Sequence, residues 1–342
     1  MINKNLTFNS INIVFAGTAE FAVPTLKTLL EHHNVLAVIS APDKPKGRGR
    51  KVKPSPIKEM VLGCCGAVEI LTQPINKLAK QLTELKPDLI VVTAYGQLLG
   101  KEILAIPPLG CWNIHPSLLP KYRGPSPIQA AILNGDRETG VTIIQMTEKL
   151  DAGPIIAQEK VSIAPDETGG NLHDTLAEKG SSLLQRTLKD FKSVVDLKSF
   201  YSIPQNDSLA IYTKKITAND AELNPKETAE ILERKIRAFN PLPGAYITIN
   251  YQLLITNDAL LIINKSRVSK RIQMRLKIWR AKIKKGAKAV GSFTPDKNLI
   301  VLDGLPALLC GDGNFLLLTE VQPEGKKRIS GEEFTRGYIK RK

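Results

Sequence analysis

A doubly wound (Rossmann-like) α/β parallel sheet followed by a small OB-like β-barrel is the architecture this chain predicts, and two observations carry it. Up to residue 191, short apolar runs bounded by Gly or Pro alternate with amphipathic stretches at helical spacing, the pattern of βαβ units. Beyond a polar stretch the alternation stops, and short apolar runs separated by turns remain, the pattern of a small antiparallel barrel. With 342 residues the chain has room for two domains. The expected division is a catalytic domain over 1–191, a linker over 192–213 and a barrel domain over 214–342.

Residues 11–16 form a buried strand that Gly17 ends. Residues 21–30 follow as a helix, with Phe21, Leu26, Leu29 and Leu30 apolar, and 35–40 return as a second strand. This unit sets a parallel sheet. Ala16-Gly17-Thr18-Ala19-Glu20 lacks the Gly-x-Gly-x-x-Gly spacing of a dinucleotide loop. Residues 74–85 read as a helix and 88–93 as a core strand. The loop 94–99 then lies at a strand's carboxyl end, where open α/β sheets bind ligands. Residues 110–115 are the next strand. Pro127 fits the first turn of a helix that Gly135 stops. Two more strands, 141–146 and 155–158, precede a long amphipathic helix over 166–191, in which His173 is a surface or packing residue. Past the linker come a helix over 225–239 and strands over 245–249, 253–255, 260–263, 299–302 and 315–321.

Lys and Arg outnumber Asp and Glu by 48 to 33, a net charge of +15 that points to a polyanionic partner. Two segments concentrate it. Residues 42–54 hold six Lys/Arg against one Asp, broken by Pro and Gly, and read as an exposed, mobile basic loop. Residues 265–288 hold eleven Lys/Arg, no Asp or Glu, and Trp279, a composition suited to nucleic acid. Cys64 and Cys65 are adjacent rather than spaced as metal or redox pairs, and the four histidines are scattered, so no metal site is expected. No run of eighteen apolar residues occurs, and no hydrophobic signal core opens the chain. The expectation is a cytoplasmic monomer with reduced cysteines and no membrane partner.

The chemistry gathers between Cys111 and Asp151. Asn113 and His115 are two apart at a strand end, so they project from one face, and Pro116 stops the strand. Asn offers N–H donors to a developing oxyanion, and His moves protons near neutral pH. A carboxylate such as Asp151 can fix the imidazole tautomer. No Ser or Cys stands in a nucleophile elbow, which points to direct acyl transfer between two bound substrates.

Asn113-Ile114-His115-Pro116-Ser117-Leu118-Leu119-Pro120, with Leu150-Asp151-Ala152-Gly153, resembles the signature of folate-dependent formyltransferases. The likeness extends through Arg123-Gly124, Pro127-Ile128-Gln129, Thr139-Gly140-Val141-Thr142 and Gln145-Met146. Pro42-Asp43, Gly47-Arg48-Gly49, Pro54-Ser55-Pro56 and Arg237-Ala238-Phe239-Asn240-Pro241 resemble the members whose acceptor is a tRNA. The resemblance implies that 10-formyltetrahydrofolate gives its formyl group to the α-amino group of methionine on initiator tRNA, without a metal. It implies that Asn113 and His115 bind the formyl oxygen and that Asp151 orients His115 and assists proton transfer. Folate would lie against Tyr95, Gly96, Gln97, Leu98, Leu99, Ser117, Leu118, Leu119, Pro120, Lys149 and Leu150, and Lys46, Arg48, Arg50 and Lys51 would meet the tRNA. Ala19 stands where the family has Pro, Pro125-Ser126 where it has Ala-Ala, and residues 251–275 resemble an insertion. Two alternatives stay open: a formyltransferase for a small amine, such as an amino sugar or purine precursor, and a non-catalytic RNA-binding protein on the same fold.

Overall fold

The computed structural model describes residues 11–46, 49, 51–64, 68–193, 202–256, 259–262, 271–286 and 299–339. They fall into two compact units. The first comprises 1–128, 137–163 and 172–215, and the second comprises 129–136, 164–171 and 216–342.

The first unit is built on a seven-stranded sheet. In chain order its elements are β1 (Asn12–Gly17), α1 (Val23–His32), β2 (Asn34–Ile39), the short strands β3 (Lys44–Lys46) and β4 (Lys51–Lys53), α2 (Pro56–Cys64) and β5 (Glu69–Leu71). Then come α3 (Ala79–Leu85), β6 (Leu89–Thr93), α4 (Lys101–Leu104), β7 (Cys111–His115), α5 (Pro127–Leu133, of which 129–133 belong to the second unit), β8 (Glu138–Gln145), β9 (Ile155–Ser162) and α6 (Gly169–Ser193, of which 169–171 belong to the second unit). The sheet order is β5-β2-β1-β6-β7-β8-β9. The β5-to-β7 pairs are parallel, and β8 and β9 add on antiparallel. The chain leaves β1 toward one edge and returns at β6 to fill the other, so the topological switch lies between β1 and β6. Their near-continuous apolar sequences follow from burial on both faces. On one face, Val14, Ala16, Ile39, Ile90, Val92 and Cys111 pack against Ile75, Leu78, Leu82, Leu99 and Ile103.

Two local expectations change. The 74–85 helix is split into a 3-10 turn, Ile75–Lys77, and α3, because Leu78 leaves helical geometry at φ −102°, ψ 8°. The basic segment is not a bare loop: β3 and β4 pair antiparallel, Lys44 opposite Lys53 and Lys46 opposite Lys51. Its base is clamped by Lys58 Nζ on Asp43 at 2.8 Å and by the buried Ser40 and Ser55 hydroxyls, 2.6 Å apart. Those anchors outweigh the like charges that face each other across the ribbon.

His173 packs edge-on against Phe21, with ring centroids 5.4 Å apart, and its Nδ1 lies 2.8 Å from Asp174.

The second unit holds α7 (Ala229–Ala238), β10 (Tyr246–Thr256), β11 (Ala259–Ile262), β12 (Arg271–Lys284), β13 (Ile300–Leu302), β14 (Leu305–Leu309), β15 (Phe315–Pro323), β16 (Ile329–Ser330) and α8 (Gly331–Phe334). Its antiparallel sheet runs β11-β10-β12-β15-β14-β13, with β16 on β15. Residues 251–256, 259–262 and 271–275 lengthen β10 and β12 and form β11. Thr228 caps α7 by accepting from Ile231 N–H, and Leu232 and Ile236 pack onto Ile247, Leu276, Ile278 and Leu318. Gly135, at φ +72°, closes α5: its N–H bonds Ile132 O while Asp136 N–H bonds Ala131 O. This is the paired stop that a glycine after the last turn permits.

Candidate active site

Strand β7 places Asn113 between Val92 of β6 and Ile144 of β8. The β6 pairing ends there, so His115 extends past it with Thr142 of β8 beside it. Cys111, Asn113 and His115 share one face by strand alternation. Cys111 sits in the core, Asn113 is half-buried and His115 is buried.

The next segment wraps round the imidazole. His115 Nε2 lies 2.9 Å from Tyr122 O. A carbonyl only accepts, so Nε2 carries a proton and Nδ1 is left for the site. Nδ1 faces Asp151 Oδ2 at 3.6 Å. That is too long for a hydrogen bond, and with the proton on Nε2 both atoms are acceptors, so a bond forms there only when Nδ1 takes up a proton. The same Asp151 Oδ2 accepts the Gly124 N–H at 2.7 Å. Tyr122 and Asp151 take left-handed backbone conformations, φ +64° and +49°. Such conformations cost about 1–3 kcal/mol each and persist where surrounding contacts dictate them.

Those contacts are dense. Thr142 Oγ1 donates to Ser117 O at 2.6 Å and accepts Leu119 N–H, and Gln158 Nε2 donates to Leu119 O at 3.1 Å. The Leu119–Pro120 peptide is cis. Arg123 is 1% exposed, and its guanidinium donates to Gln205 Oε1 from Nε at 3.1 Å and Nη2 at 2.8 Å, to Asp207 at 2.7 Å and to Tyr212 Oη at 3.1 Å. The Arg123 hydrogen bond and charge hold the Asp207 carboxyl below its ordinary range. For the guanidinium, burial works the other way but is outweighed by Asp207 and Tyr212, so it is held above its ordinary value.

Residues 202–213, which composition marks as linker, are therefore bound into this site. Backbone bonds join Arg123 N–H to Ile211 O and Thr213 N–H to Arg123 O, each at 2.8 Å. Gln205 Nε2 donates to Asp151 O at 2.8 Å and Gly153 O at 2.6 Å. Neither Gln205 nor the Tyr122 carbonyl is distinguishable in the sequence, since a Pro-Gln-Asn-Asp stretch carries no periodicity. Arg123 stands there only as part of the family motif.

The folate candidates divide by exposure. Tyr95, Leu99, Ser117 and Leu119 are buried, whereas Gly96, Gln97, Leu98, Lys149 and Leu150 are exposed and Leu118 and Pro120 lie between. Tyr95 Oη accepts the Ile75 N–H at 3.0 Å, and burial raises its phenol above the ordinary value. Asn76 fixes the loop, donating to Leu98 O and accepting Gly100 N–H. Buried members can serve a ligand through the backbone they shape, exposed ones through direct contact. Of the tRNA candidates, Arg48 and Arg50 lie outside the described residues, Lys46 and Lys51 pair across the β3–β4 ribbon, and Lys51 is exposed.

In the second unit, β12 carries its cations beside aromatic rings. Arg275 lies 4.1 Å from the Tyr246 ring centre, and Lys277 (5.4 Å) and Arg328 (4.1 Å) lie against Trp279. Stacking of this kind fixes charge at the surface. The basic run's residues 265–270, 287 and 288 lie outside the described residues.

Neither neighbouring thiol nor hydroxyl is placed to act as nucleophile. Burial pushes the Cys111 thiol up to about 12, and the buried Ser117 hydroxyl donates to Lys121 O at 2.6 Å. An amide, an imidazole and a carboxylate at the carboxyl end of an α/β sheet are the groups that suit transfer of a carbonyl-bearing group. Which group is transferred follows from comparison: the chain belongs to the formyltransferase family. The formyl transferase model matches residues 9–188, and the model of the formyl transferase C-terminal domain matches 215–339. The methionyl-tRNA formyltransferase of Carboxydothermus hydrogenoformans is 38% identical, over 96% of this chain and 97% of its own. That of Bacillus subtilis is 38% identical over 95% and 94%. Among solved structures, the sugar 3N-formyl transferase WlaRD, crystallised with dTDP and 5-N-formyl-THF, matches 93% of this chain and all of its own. Its TM-score is 0.59 at 22% identity, a likeness of fold. HypX from Aquifex aeolicus, solved with tetrahydrofolic acid, matches with TM-score 0.57 at 16% identity, over 96% of this chain and 47% of its own.

Proposed function

We propose that this enzyme transfers the formyl group of 10-formyltetrahydrofolate to the α-amino group of methionine on initiator tRNA. The observation that carries the reading is His115 Nδ1 facing Asp151 Oδ2 at 3.6 Å, with Asn113 two residues earlier on the same strand, in a chain aligned along its length with methionyl-tRNA formyltransferases. The amine nitrogen attacks the formyl carbon, the carbon–N10 bond breaks, and one proton passes from the amine to N10. Asn113 donates to the carbonyl oxygen as it becomes an oxyanion. An ordinary α-amino group has a pKa of about 7.7–8.0, so a neutral fraction exists before attack and a proton must leave after it. His115 Nδ1 and Asp151 Oδ2 are the pair that receives and passes on this proton. Residues 95–99, 117–120, 149 and 150 form the folate site. Lys46, Arg48, Arg50 and Lys51 of the basic segment meet the tRNA acceptor end, and the cations of β12 bind phosphates of the acceptor arm.

The test supplies formyl-folate with either Met-tRNA or free methionine and follows formylation. Rapid formylation of the tRNA, with free methionine nearly inert, is expected, and rising salt should slow it as counterion release weakens phosphate contacts. Equal use of the free amine would sink the tRNA assignment. His115→Ala should lower turnover by about 10²-fold or more, and near-normal turnover would remove its role.

A further inference from the structure

We infer that Gln205 is a positioning residue for formyl transfer, acting through the main chain of Asp151; the inference rests on the role proposed above for Asp151. The Gln205 amide is fully used. Its oxygen accepts twice from Arg123, at 3.1 and 2.8 Å, and its nitrogen donates to Asp151 O at 2.8 Å and Gly153 O at 2.6 Å. Its orientation is fixed by its partners, because a guanidinium only donates and a carbonyl only accepts. One planar group thus joins a buried cation to both ends of the turn that presents the carboxylate.

That turn needs holding. Asp151 is a non-glycine residue at φ +49°, and Gly153 sits so close to Gln145 that a Cβ there would lie 1.7 Å from its carbonyl oxygen. Asp151 Oδ2 has two obligations, the Gly124 N–H at 2.7 Å and His115 Nδ1 at 3.6 Å. Gly124 directly follows Arg123, so Gln205 links both sides of this arrangement: the loop donating to the carboxylate and the turn carrying it. Without the two donor bonds, Asp151 is free to rotate toward Gly124 and away from His115. Side-chain displacements near 1 Å at a reacting centre cost about 10²-fold in rate.

The decisive variant is Gln205→Glu. It keeps both bonds from Arg123 but sets a carboxylate oxygen against two carbonyl oxygens, removing the donor half alone. With Met-tRNA and formyl-folate we expect the single-turnover rate to fall at least about 10-fold, with KM for both substrates and the thermal midpoint near those of the parent enzyme. In an Asp151→Asn background, Gln205→Glu should cost little more, since both changes act through one group. A normal rate in Gln205→Glu, while Asp151→Asn is crippled, would overturn the positioning role and leave the proposed reaction standing. So would a loss that repeats in full in the Asp151→Asn background, or a fall in thermal midpoint that tracks the lost rate. A normal rate in Asp151→Asn would remove the role of Asp151 itself, and with it that of Gln205.

Discussion

Replacing Gly124 by Ala tests how tightly the loop around His115 is fitted. Gly124 has φ +106°, a conformation that L side chains rarely adopt. A Cβ built there would lie 2.9 Å from the carbonyl oxygen of Thr213 and 3.0 Å from its hydroxyl. Relief needs about 0.5 Å of separation to reach ordinary contact. Thr213 cannot yield easily, because its N–H and hydroxyl both bond Arg123 O, at 2.8 and 3.1 Å. Gly124 must move instead, and its N–H is the donor to Asp151 Oδ2. Half of a 1 Å misplacement corresponds to about 10-fold in rate, and the backbone conformation adds about 1–3 kcal/mol of destabilisation. Formylation kinetics and thermal unfolding of Gly124→Ala measure the two effects together. Parental kcat with a parental unfolding midpoint would refute the claim that this loop is closely fitted.

Three further outcomes concern Asp207 and Cys111. Asp207 is held below its ordinary value of 3.8 by Arg123, so its unfolded form binds a proton more readily. Its contribution is present above that ordinary value and lost as pH falls through the folded one, and Asp207→Asn should weaken the pH dependence of urea unfolding on the acid side; an unchanged acid limb would contradict the pairing. Cys111, with its thiol pushed up to about 12, should resist alkylation at pH 8 in the folded enzyme. Cys111→Ala should keep turnover within about 3-fold while losing about 1 kcal/mol of stability, and loss of activity without unfolding would point to chemistry at the sulfur.

Much of the scaffold was legible because it is local. Strands at 11–16 and 88–93 announce themselves as apolar runs closed by Gly17 or entered after Pro87, and they appear as β1 and β6 within a residue of the expected bounds. Asn113 and His115 could be placed on one face by alternation alone. Pairing direction was less legible: β8 runs antiparallel to β7, Trp112 opposite Gln145, and nothing in residues 141–146 distinguishes that from a parallel neighbour. Least legible were partners far apart in sequence. The Arg123–Gln205 bonds span 82 positions and the Asp151–Gln205 bond 54, joined by polar residues whose counterparts no periodicity reveals. A short polar segment after a long helix resembles a tether whether it is loose or docked. In the same way, the anchors that make a ribbon of the basic segment, Asp43 on Lys58 and Ser40 on Ser55, lie 15 residues apart.

The docked segment after α6 also sets where the chain can be cut. A fragment ending at 188, where the first family match stops, would contain Asn113, His115 and Asp151. It would nevertheless leave the Arg123 guanidinium enclosed without Gln205, Asp207 or Tyr212, a buried charge with its partners removed. Expression boundaries for the catalytic half therefore belong after Thr213. On the ribosome, too, the loop round His115 stays unfinished while residues 202–213 are unsynthesised, so the geometry proposed for the reaction forms only after Asn113, His115 and Asp151 have long been made.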